Sequence, residues 1–424
     1  MRFYLFAGVL CLFGVRCLAG GGHKYYVKSI EEVNGLRLGP GDSVFFRGGG
    51  RFAGTVRVRG VSGVRGRPVW IGSSGGVATI DGGDSAAVVV DDSRWVRIRG
   101  LRLVGAGRKT GNVKDGLGIV GCSDVRVEHV EITGFQKSGL LVYGSRRVFL
   151  GAVYAHENGS AGITVEGPYG SKTGSRDLTI VHCRADDNPG DPTNLTNHSG
   201  NGIIAGHCTN VLIDSCSATN NGWDMPRIGN GPVGIWCYES DSVVIQRCLA
   251  YRNKTSPGAA DGGGFDFDGG VTNSIIQYCH SYENQGAGYC IFQYSGASPW
   301  YHNIIRWNVG EDDGLVSDGR AGVYVWNSSN DSSQFYDCVI YGNTIYNTHE
   351  AAVSYSVTSA RKGFVWRENV LVGADSLIRG DRGADVFVKN DWWVLRSVDG
   401  RSGRPGDAGL PGVFVKPRFK HNRK

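Results

Sequence analysis

The stretch VVIQRCLAYRN at 243–253 recurs along the chain and decides the fold. The same pattern reads LTIVHCRADDN at 178–188, VLIDSCSATNN at 211–221 and SIIQYCHSYEN at 274–284, with VFLGAVYAHEN at 148–158 as a cysteine-free copy. Copies about 30 residues apart are typical of solenoid proteins, in which each repeat packs only against its neighbours. Apolar residues two apart within each copy match the period of a β-strand and exclude a helical solenoid.

Two positions of the repeat keep the same residue type. Cys183, Cys216, Cys248 and Cys279 occupy one slot, and each copy ends on an asparagine. We expect the cysteines to form a buried file of thiols that pack as small apolar residues, because four ligands in one file cannot surround a metal ion tetrahedrally. The asparagines are predicted to stack at a turn, where their side chains bond to backbone and to one another.

The repeats predict an all-β fold, a single-stranded right-handed parallel β-helix with three sheets. The mature chain resembles the secreted parallel β-helix proteins, a group that holds pectate lyases, polygalacturonases and other polysaccharide hydrolases and lyases. The segment YYVKSIEEVNGLRLGPGDSVFFRGGGRFAGTV at 25–56 looks like the start of the "right-handed β-helix region" type. The resemblance implies the architecture, whereas the superfamily hosts many reactions.

The chain divides into a leader, a coil and two ends. Residues 1–19 have a basic residue, an apolar run and a terminal small residue, as in a secretory signal peptide. We predict an N-terminal cap with the first coils at 20–95, the β-helix at 96–372 and a C-terminal capping segment at 373–424. Ser29 to Glu32 reads as a capping box, so a short helix is expected to close the N-terminal end.

Composition narrows the classes of function. With 67 Gly, 12 Pro and 2 Met, the chain is rich in turns. The net charge of +6 is scattered rather than concentrated on one face, which argues against a nucleic-acid partner. No apolar run is long enough to span a bilayer. The nine cysteines after the leader are an odd number, which argues against a complete disulfide framework. We expect a monomer that is exported to the periplasm or the extracellular space.

A second pattern opens each repeat. Its copies are GITVE at 162–166, GIIAG at 202–206, GIWCY at 234–238, GFDFD at 264–268, GYCIF at 288–292 and GVYVW at 322–326. Positions two and four are apolar almost throughout, so they are predicted to face the core. Positions three and five must then face solvent, because side chains alternate across a strand.

The outward positions carry acids between aromatic rings. Asp266 and Asp268 are expected to project side by side from an exposed sheet. Rings stand at neighbouring outward positions, namely Trp236, Tyr238, Phe292, Tyr324 and Trp326. Exposed aromatic files mark binding surfaces, flat rings suit the apolar faces of sugars, and carboxylates exchange protons at a cleaved bond. An elongated sheet therefore suggests a polysaccharide or oligosaccharide substrate.

Long loops support the same face. The insertions at 188–200, 221–232 and 253–263 precede this strand, so they are expected to wall one edge of a groove. Glu239 directly follows the outward position of Tyr238 and is predicted to supply a further catalytic carboxylate. His207 ends its strand and is a further candidate for substrate binding.

The leading hypothesis is a glycoside hydrolase in which Asp266 and Asp268 act as acid and as base or nucleophile. Residues two apart on a strand lie about 6.5–7 Å apart at Cα, and this spacing suits either stereochemical course of hydrolysis.

Two alternatives stay open. A polysaccharide lyase would need a base and a cation beside a uronate carboxylate. The β-helix lyases that the chain resembles use Lys or Arg with calcium-binding acids, and Arg252, Lys254 and Asp261 are the candidates. No cofactor is required by the leading hypothesis, but Asp266 and Asp268 are alternative calcium ligands. The third hypothesis is a non-catalytic carbohydrate-binding or surface-interaction solenoid.

Overall fold

The computed structural model describes residues 21–316 and 321–395. Each turn of the chain adds one strand to each of three parallel sheets, so the described residues form a parallel β-helix. The predicted signal peptide at 1–19 lies outside the described residues.

Sheet 1, the sheet of the outward acids, has twelve strands over the described residues. They are Val56–Arg59, Val88–Asp91, Leu117–Val120, Ser138–Tyr143, Ala161–Glu166, Asn201–Gly206, Val233–Tyr238, Gly263–Phe267, Tyr289–Gln293, Ala321–Asn327, Ala351–Tyr355 and Ile378–Arg379.

Sheet 2 follows sheet 1 in each turn and has fourteen strands within 21–316 and 321–395. They are Lys24–Val27, Ser43–Arg47, Val69–Ser74, Val96–Arg99, Ser123–Glu128, Arg146–Gly151, Ser175–Val181, Cys208–Asp214, Asp241–Gln246, Ile275–Gln277, Asn303–Arg306, Tyr336–Tyr341, Lys362–Arg367 and Val386–Val388.

Sheet 3 completes the turn with thirteen strands in the same part of the chain. They are Arg51–Ala53, Ala78–Gly83, Leu101–Gly105, Glu131–Thr133, Tyr154–His156, Arg184–Asp186, Ser217–Thr219, Leu249–Tyr251, His280–Tyr282, Val309–Glu311, Thr344–Tyr346, Val370–Gly373 and Asp391–Val394.

The parity predicted for the strand GFDFD is confirmed. Phe265 and Phe267 are fully buried in the central core that runs through the coil. Asp266, between them, pairs in register with Trp236 on one side and Cys290 on the other. Both of these neighbours belong to apolar clusters that are separate from the central core. The acid and its neighbours therefore lie on the outer face of sheet 1.

The predicted asparagine file is confirmed at the turn before sheet 1. Asn221 Nδ2 donates to Asn253 Oδ1 at 2.9 Å and to the Ala185 carbonyl at 2.9 Å, and Asn253 repeats the pattern with Asn284. This file also explains the glycine near the start of the repeated strands of sheet 1, such as Gly234 in Val233–Tyr238. A Cβ on Gly234 would lie 2.7 Å from Asn253 Nδ2 and 2.7 Å from the carbonyl of Gly264.

The cysteine slot is a buried file, as predicted. Cys216 N–H donates to Cys248 Sγ at 3.4 Å, and all nine cysteines of the described residues are buried and free. The file continues where the cysteines stop, because Cys279 N–H donates to Asn308 Oδ1 at 2.9 Å and Asn308 N–H donates to Asn343 Oδ1 at 3.0 Å. An asparagine amide thus replaces the thiol without interrupting the stack.

The two ends differ in how far the coil extends. The predicted N-terminal helix is confirmed as Ile30–Gly35, with Ser29 Oγ accepting the Glu32 N–H at 3.3 Å, and Ile30 and Val33 bury its inner side. At the other end, strands pair in all three sheets beyond the predicted boundary at residue 372, the last being Asp391–Val394. Residues 396–424 of the predicted capping segment lie outside the described residues.

Candidate functional site

A cavity of about 980 Å³ lies on the outer face of sheet 1. Asp266 and Asp268 form part of its floor, together with Trp236, Tyr238 and Ile204. The predicted full exposure of this face is wrong: Asp266 is only 2% exposed and Trp236 only 4%. The loops that connect the strands rise on both sides and enclose the outward side chains, so the acids lie at the bottom of a cavity.

The acids lie between aromatic rings along the coil axis. Trp236 precedes Asp266 in register, and Tyr324 follows two strands later, beyond Cys290. The neighbouring file contains Tyr238, Asp268, Phe292 and Trp326, all of which line the cavity. The structure therefore brings together eight of the predicted site residues, namely Trp236, Tyr238, Asp261, Asp266, Asp268, Phe292, Tyr324 and Trp326.

The first wall comes from the predicted long loops. Asn197 and His198 of the loop at 188–200 line the cavity, as do Arg227 of the loop at 221–232 and Asp261 of the loop at 253–263. Asp261 also stabilises this wall, because its Oδ2 accepts the Gly231 N–H at 2.7 Å.

The second wall was not predicted. Tyr294, in the loop after Tyr289–Gln293, lines the cavity opposite the long loops. Glu239 holds the loop of Tyr294 in place, because its Oε1 accepts the Ser298 N–H at 2.8 Å. Glu239 itself is buried and lies outside the lining of the cavity. The placement favours a supporting role for Glu239 over the predicted catalytic one, because its carboxylate is already used by the wall.

His207 and the two predicted cations also lie outside the cavity lining. The His207 ring packs edge-on against Tyr238 at 5.3 Å and so supports the floor from the side. Arg252 follows a strand of sheet 3, and its Nε donates to Glu283 Oε2 at 2.6 Å. Lys254 N–H donates to the Asn221 carbonyl at 2.8 Å in the turn. The structure therefore does not bring Arg252 and Lys254 to the cavity, since both follow sheet 3 before the chain reaches it, and their contacts with a substrate stay a prediction.

Burial sets the protonation of the acid pair. The pKa of Asp266 is raised well above its usual range by burial and then by the charges of Asp268 and Asp261. Burial also raises the pKa of Asp268, to about 7. The Gly269 N–H, which donates to Asp268 Oδ1 at 2.7 Å, lowers this pKa and so offsets part of the effect of burial. Asp266 Oδ1 has no hydrogen-bond partner among the described residues. At neutral pH the pair therefore retains protons that exposed aspartates would have lost.

Sequence reasoning missed the groups that fix the Trp236 ring. Trp236 Nε1 donates to Asn201 Oδ1 at 3.1 Å, and the His198 ring packs edge-on against the indole at 4.9 Å. Burial, and then the charge of Arg227, lowers the pKa of His198 to about 4, so the imidazole is neutral at pH 7. His198 belongs to a loop whose length was noted, but no periodicity in a loop indicates which side chain points inward.

Tyr238, which lines the cavity floor with the acid pair, is bonded to a further carboxylate. Its hydroxyl donates to Glu166 Oε1, which lies two strands away along sheet 1. The ring reaches that far because Gly206, on the strand between, has no side chain; a Cβ there would lie 2.4 Å from the tyrosine ring. Burial, and then the charge of Glu166, raises the pKa of Tyr238, so the phenol remains a donor.

Acidic side chains outnumber basic ones around the cavity. The acidic side chains among its described lining residues are Asp115, Glu166, Asp261, Asp266 and Asp268. The basic ones in the same set are Lys137 and Arg227, and Lys137 already pairs with the buried Asp191 at 2.5 Å. Within residues 21–316 and 321–395, no group of three or more His, Cys, Asp or Glu side chains could hold a metal ion.

None of the described helices is long and apolar enough to cross a membrane.

The three stacked parallel sheets define the class of parallel β-helix proteins. The chain belongs to the family described as "Right handed beta helix region", whose model matches residues 75–191 and 190–345. A search of curated proteins found no match.

Solved structures share this fold at low sequence identity. The lacto-N-biosidase GH136 of Eubacterium ramulus is 14% identical with a TM-score of 0.60, covering 87% of this chain and 68% of its own. The A-module of the mannuronan C-5 epimerase AlgE6 of Azotobacter vinelandii is 14% identical with a TM-score of 0.56, covering 86% and 98%. The surface adhesin PfbA of Streptococcus pneumoniae is 10% identical with a TM-score of 0.51, covering 87% and 90%. These likenesses establish the fold alone.

Proposed function

We propose that the protein is an exported glycoside hydrolase that cleaves a neutral oligosaccharide or polysaccharide with Asp266 and Asp268. The observation that carries this proposal is the buried acid pair on the cavity floor, with aromatic rings on both sides along the coil axis. Its supports are the raised pKa values of both acids and a lacto-N-biosidase on the same fold. Export rests on the signal-peptide pattern of residues 1–19.

For each step of glycoside hydrolysis, the cavity floor offers a carboxyl group. The protonated member of the acid pair donates its proton to the glycosidic oxygen as the bond to the anomeric carbon breaks. The ionised member then acts in one of two ways. It takes a proton from water as the water oxygen bonds to the anomeric carbon, or it forms the bond itself before water replaces it. Two close carboxyl groups in a buried site can act as acid and as base or nucleophile, because neither ionises as readily as an exposed acid.

The charge of the cavity favours hydrolysis of a neutral glycan over elimination on a uronate. A lyase must neutralise the carboxylate of its substrate. Lys137 is paired with Asp191, so Arg227 is the remaining basic side chain among the described lining residues, and both Arg252 and Lys254 lie outside the cavity lining. A uronate would instead meet the five carboxyl groups of the described lining residues.

The test is cleavage of a panel of neutral and uronate glycans by wild type, Asp266→Asn and Asp268→Asn. New reducing ends without ultraviolet absorbance of an unsaturated product indicate hydrolysis. We expect each variant to lose about a hundredfold or more of the activity, the scale of a lost acid–base group. Asp337→Asn is the matched control, since Asp337 pairs with His302 on sheet 2, away from the cavity.

Three outcomes would contradict the proposal. Near-normal turnover in both variants would move the chemistry elsewhere, and unsaturated products would indicate a lyase. Binding without cleavage would indicate a carbohydrate-binding solenoid. Thermal unfolding of each variant checks that the fold is intact.

A further inference from the structure

The cavity is long along the coil axis. Its floor runs over seven successive strands of sheet 1 among the described residues, from Ser138–Tyr143 to Ala321–Asn327. Neighbouring strands lie about 4.8 Å apart, so the floor extends for about 29 Å. A volume of about 980 Å³ spread over that length describes a narrow trough and not a round pocket.

The acid pair is off-centre in this trough. Asp266 lies on the fifth of the seven strands, so four strands precede it and two follow it. With the same spacing, the floor extends for about 19 Å on the N-terminal side and about 10 Å on the C-terminal side. We call these two parts the long arm and the short arm.

The long arm presents polar groups at its far end. The Ser138 and Thr164 hydroxyl groups lie 2.8 Å apart, and Asp115 Oδ1 accepts the Ser138 N–H at 2.8 Å. Glu166 lies on the next part of the floor and accepts the Tyr238 hydroxyl. Hydroxyl and carboxylate groups in such a row suit the hydroxyl groups of successive sugars.

The short arm is aromatic. The Phe292 ring packs edge-on against Tyr324 at 5.5 Å and against Trp326 at 5.7 Å. Tyr324 and Trp326 stay partly exposed to the cavity. Such rings bind the apolar face of a sugar through surface contact rather than through directed hydrogen bonds. The short arm therefore contacts a substrate through rings, whereas the long arm combines the rings of Trp236 and Tyr238 next to the acids with polar groups at its far end.

We propose that the substrate is a linear glycan of at least about six sugar units, which lies along the trough and is cut unevenly, with about four units in the long arm and two in the short arm. An extended pyranose unit is about as long as the spacing between neighbouring strands, so each strand of an arm corresponds to about one sugar unit. This inference rests on the proposed function, because it takes Asp266 and Asp268 as the point of cleavage.

The experiment uses ladders of cello-, xylo-, manno- and chito-oligosaccharides of two to eight units, labelled at the reducing end. We expect kcat/KM on the cleaved ladder to rise with length up to about six units and then to level off. The products of the six-unit member should be unequal, about four and two, and the labelled product reports the direction of the chain. The affinity of Asp266→Asn for the same ladder should level off at the same length.

Variants test the two arms separately. Trp326→Ala should raise KM for the six-unit member about tenfold and remove the gain from the last units. Glu166→Gln should also raise KM, but it should leave the gain from the short arm in place. Trp307→Ala is the control, since Trp307 is an exposed ring at the edge of sheet 2 and stacks on Tyr278.

The outcomes separate this inference from the proposed function. Cleavage that is as fast on two or three units as on six, or that yields equal halves, would overturn the uneven trough and leave a hydrolase. Binding that levels off at about six units without any cleavage would overturn the hydrolase and leave the trough. Neither binding nor cleavage of any ladder would overturn both.

Discussion

In the asparagine file, Asp313 stands where the earlier turns have an asparagine. It occupies the slot that follows Asn284, and its Oδ1 accepts Asn284 Nδ2 at 2.8 Å. Each earlier asparagine also donates through Nδ2 to a backbone carbonyl, as Asn253 does to Ala218 at 3.2 Å. A carboxylate has no such donor, and Asp313 Oδ2 has no hydrogen-bond partner among the described residues. Burial raises the pKa of Asp313 to about 8, so the folded state favours the protonated acid in this slot.

We predict that Asp313→Asn stabilises the protein at alkaline pH. Because the folded pKa of about 8 exceeds the usual value near 3.8, the folded state binds the proton more tightly than the unfolded state. Stability from this group is therefore present in acid and is lost as pH rises from about 4 to about 8. At pH 8 the variant should gain about 2 kcal/mol in the free energy of unfolding, the cost of an unsatisfied buried group.

Urea unfolding of both proteins from pH 4 to pH 9 measures this effect. The two stability curves should converge towards the acid limit and separate as pH rises. Asp337→Asn, at an exposed ion pair, serves as the control, and its curve should stay parallel to wild type. Parallel curves for Asp313→Asn as well would show that Asp313 is not protonated in the folded state.

The loop at 167–174 shows how a connection between strands acts on the acid pair. Lys172 Nζ donates to the carbonyl of Gly270, in the turn that directly follows Asp268. The same turn is held by Glu239 N–H, which donates to the Gly269 carbonyl at 2.7 Å, and by Gln293 Oε1, which accepts the Gly270 N–H at 3.0 Å. Three separate elements therefore fix the backbone whose Gly269 N–H orients the Asp268 carboxyl group.

We predict that Lys172→Met lowers kcat about tenfold with little change in the melting temperature. Without the ammonium group, the turn loses one of its anchors and the Asp268 carboxyl group is held less firmly, and small displacements of a reacting group are costly. Steady-state kinetics and thermal unfolding measure the two quantities. Lys172→Arg keeps the positive donor and should recover most of the activity, whereas an equal loss in both variants would mean that the donor is irrelevant.

Across the whole molecule, the parts that repeat could be predicted and the parts that do not repeat could not. Phe265 and Phe267 were placed correctly because alternation along a strand is fixed by backbone geometry. Lys172 could not be found, since its partner Gly270 lies 98 residues away and only the stacking of turns brings them together. Arg252 lies in the loop that leads to Asp261, as expected, but its Nε donates to Glu283 Oε2 on the next turn, a contact that its position in the loop did not indicate.

The same repetition gives the molecule one continuous core that contains its thiols. Cys183, Cys216 and Cys248 are buried. The Cys183 N–H donates to Cys216 Sγ and the Cys216 N–H donates to Cys248 Sγ, whereas the Cys248 thiol donates to the Gln246 carbonyl. Burial raises the pKa of the Cys122 thiol to about 11. Burial also raises the pKa values of Cys216 and Cys248 well above their usual range. For Cys183, the largest cause of the raised pKa is the hydrogen bond with Cys216, followed by burial. Thiolate, the reactive form, is therefore scarce in the folded state.

We predict that the nine cysteines from Cys122 to Cys338 react with a thiol reagent only when the coil unfolds, because all nine are buried and free. Colorimetric thiol titration should detect none of these groups in native buffer and all nine in guanidinium chloride. Since none of them forms a disulfide in the structure, reductant should leave the melting temperature unchanged. Rapid labelling of a few thiols before global unfolding would show instead that single turns open independently, as solenoid repeats with weak interfaces do.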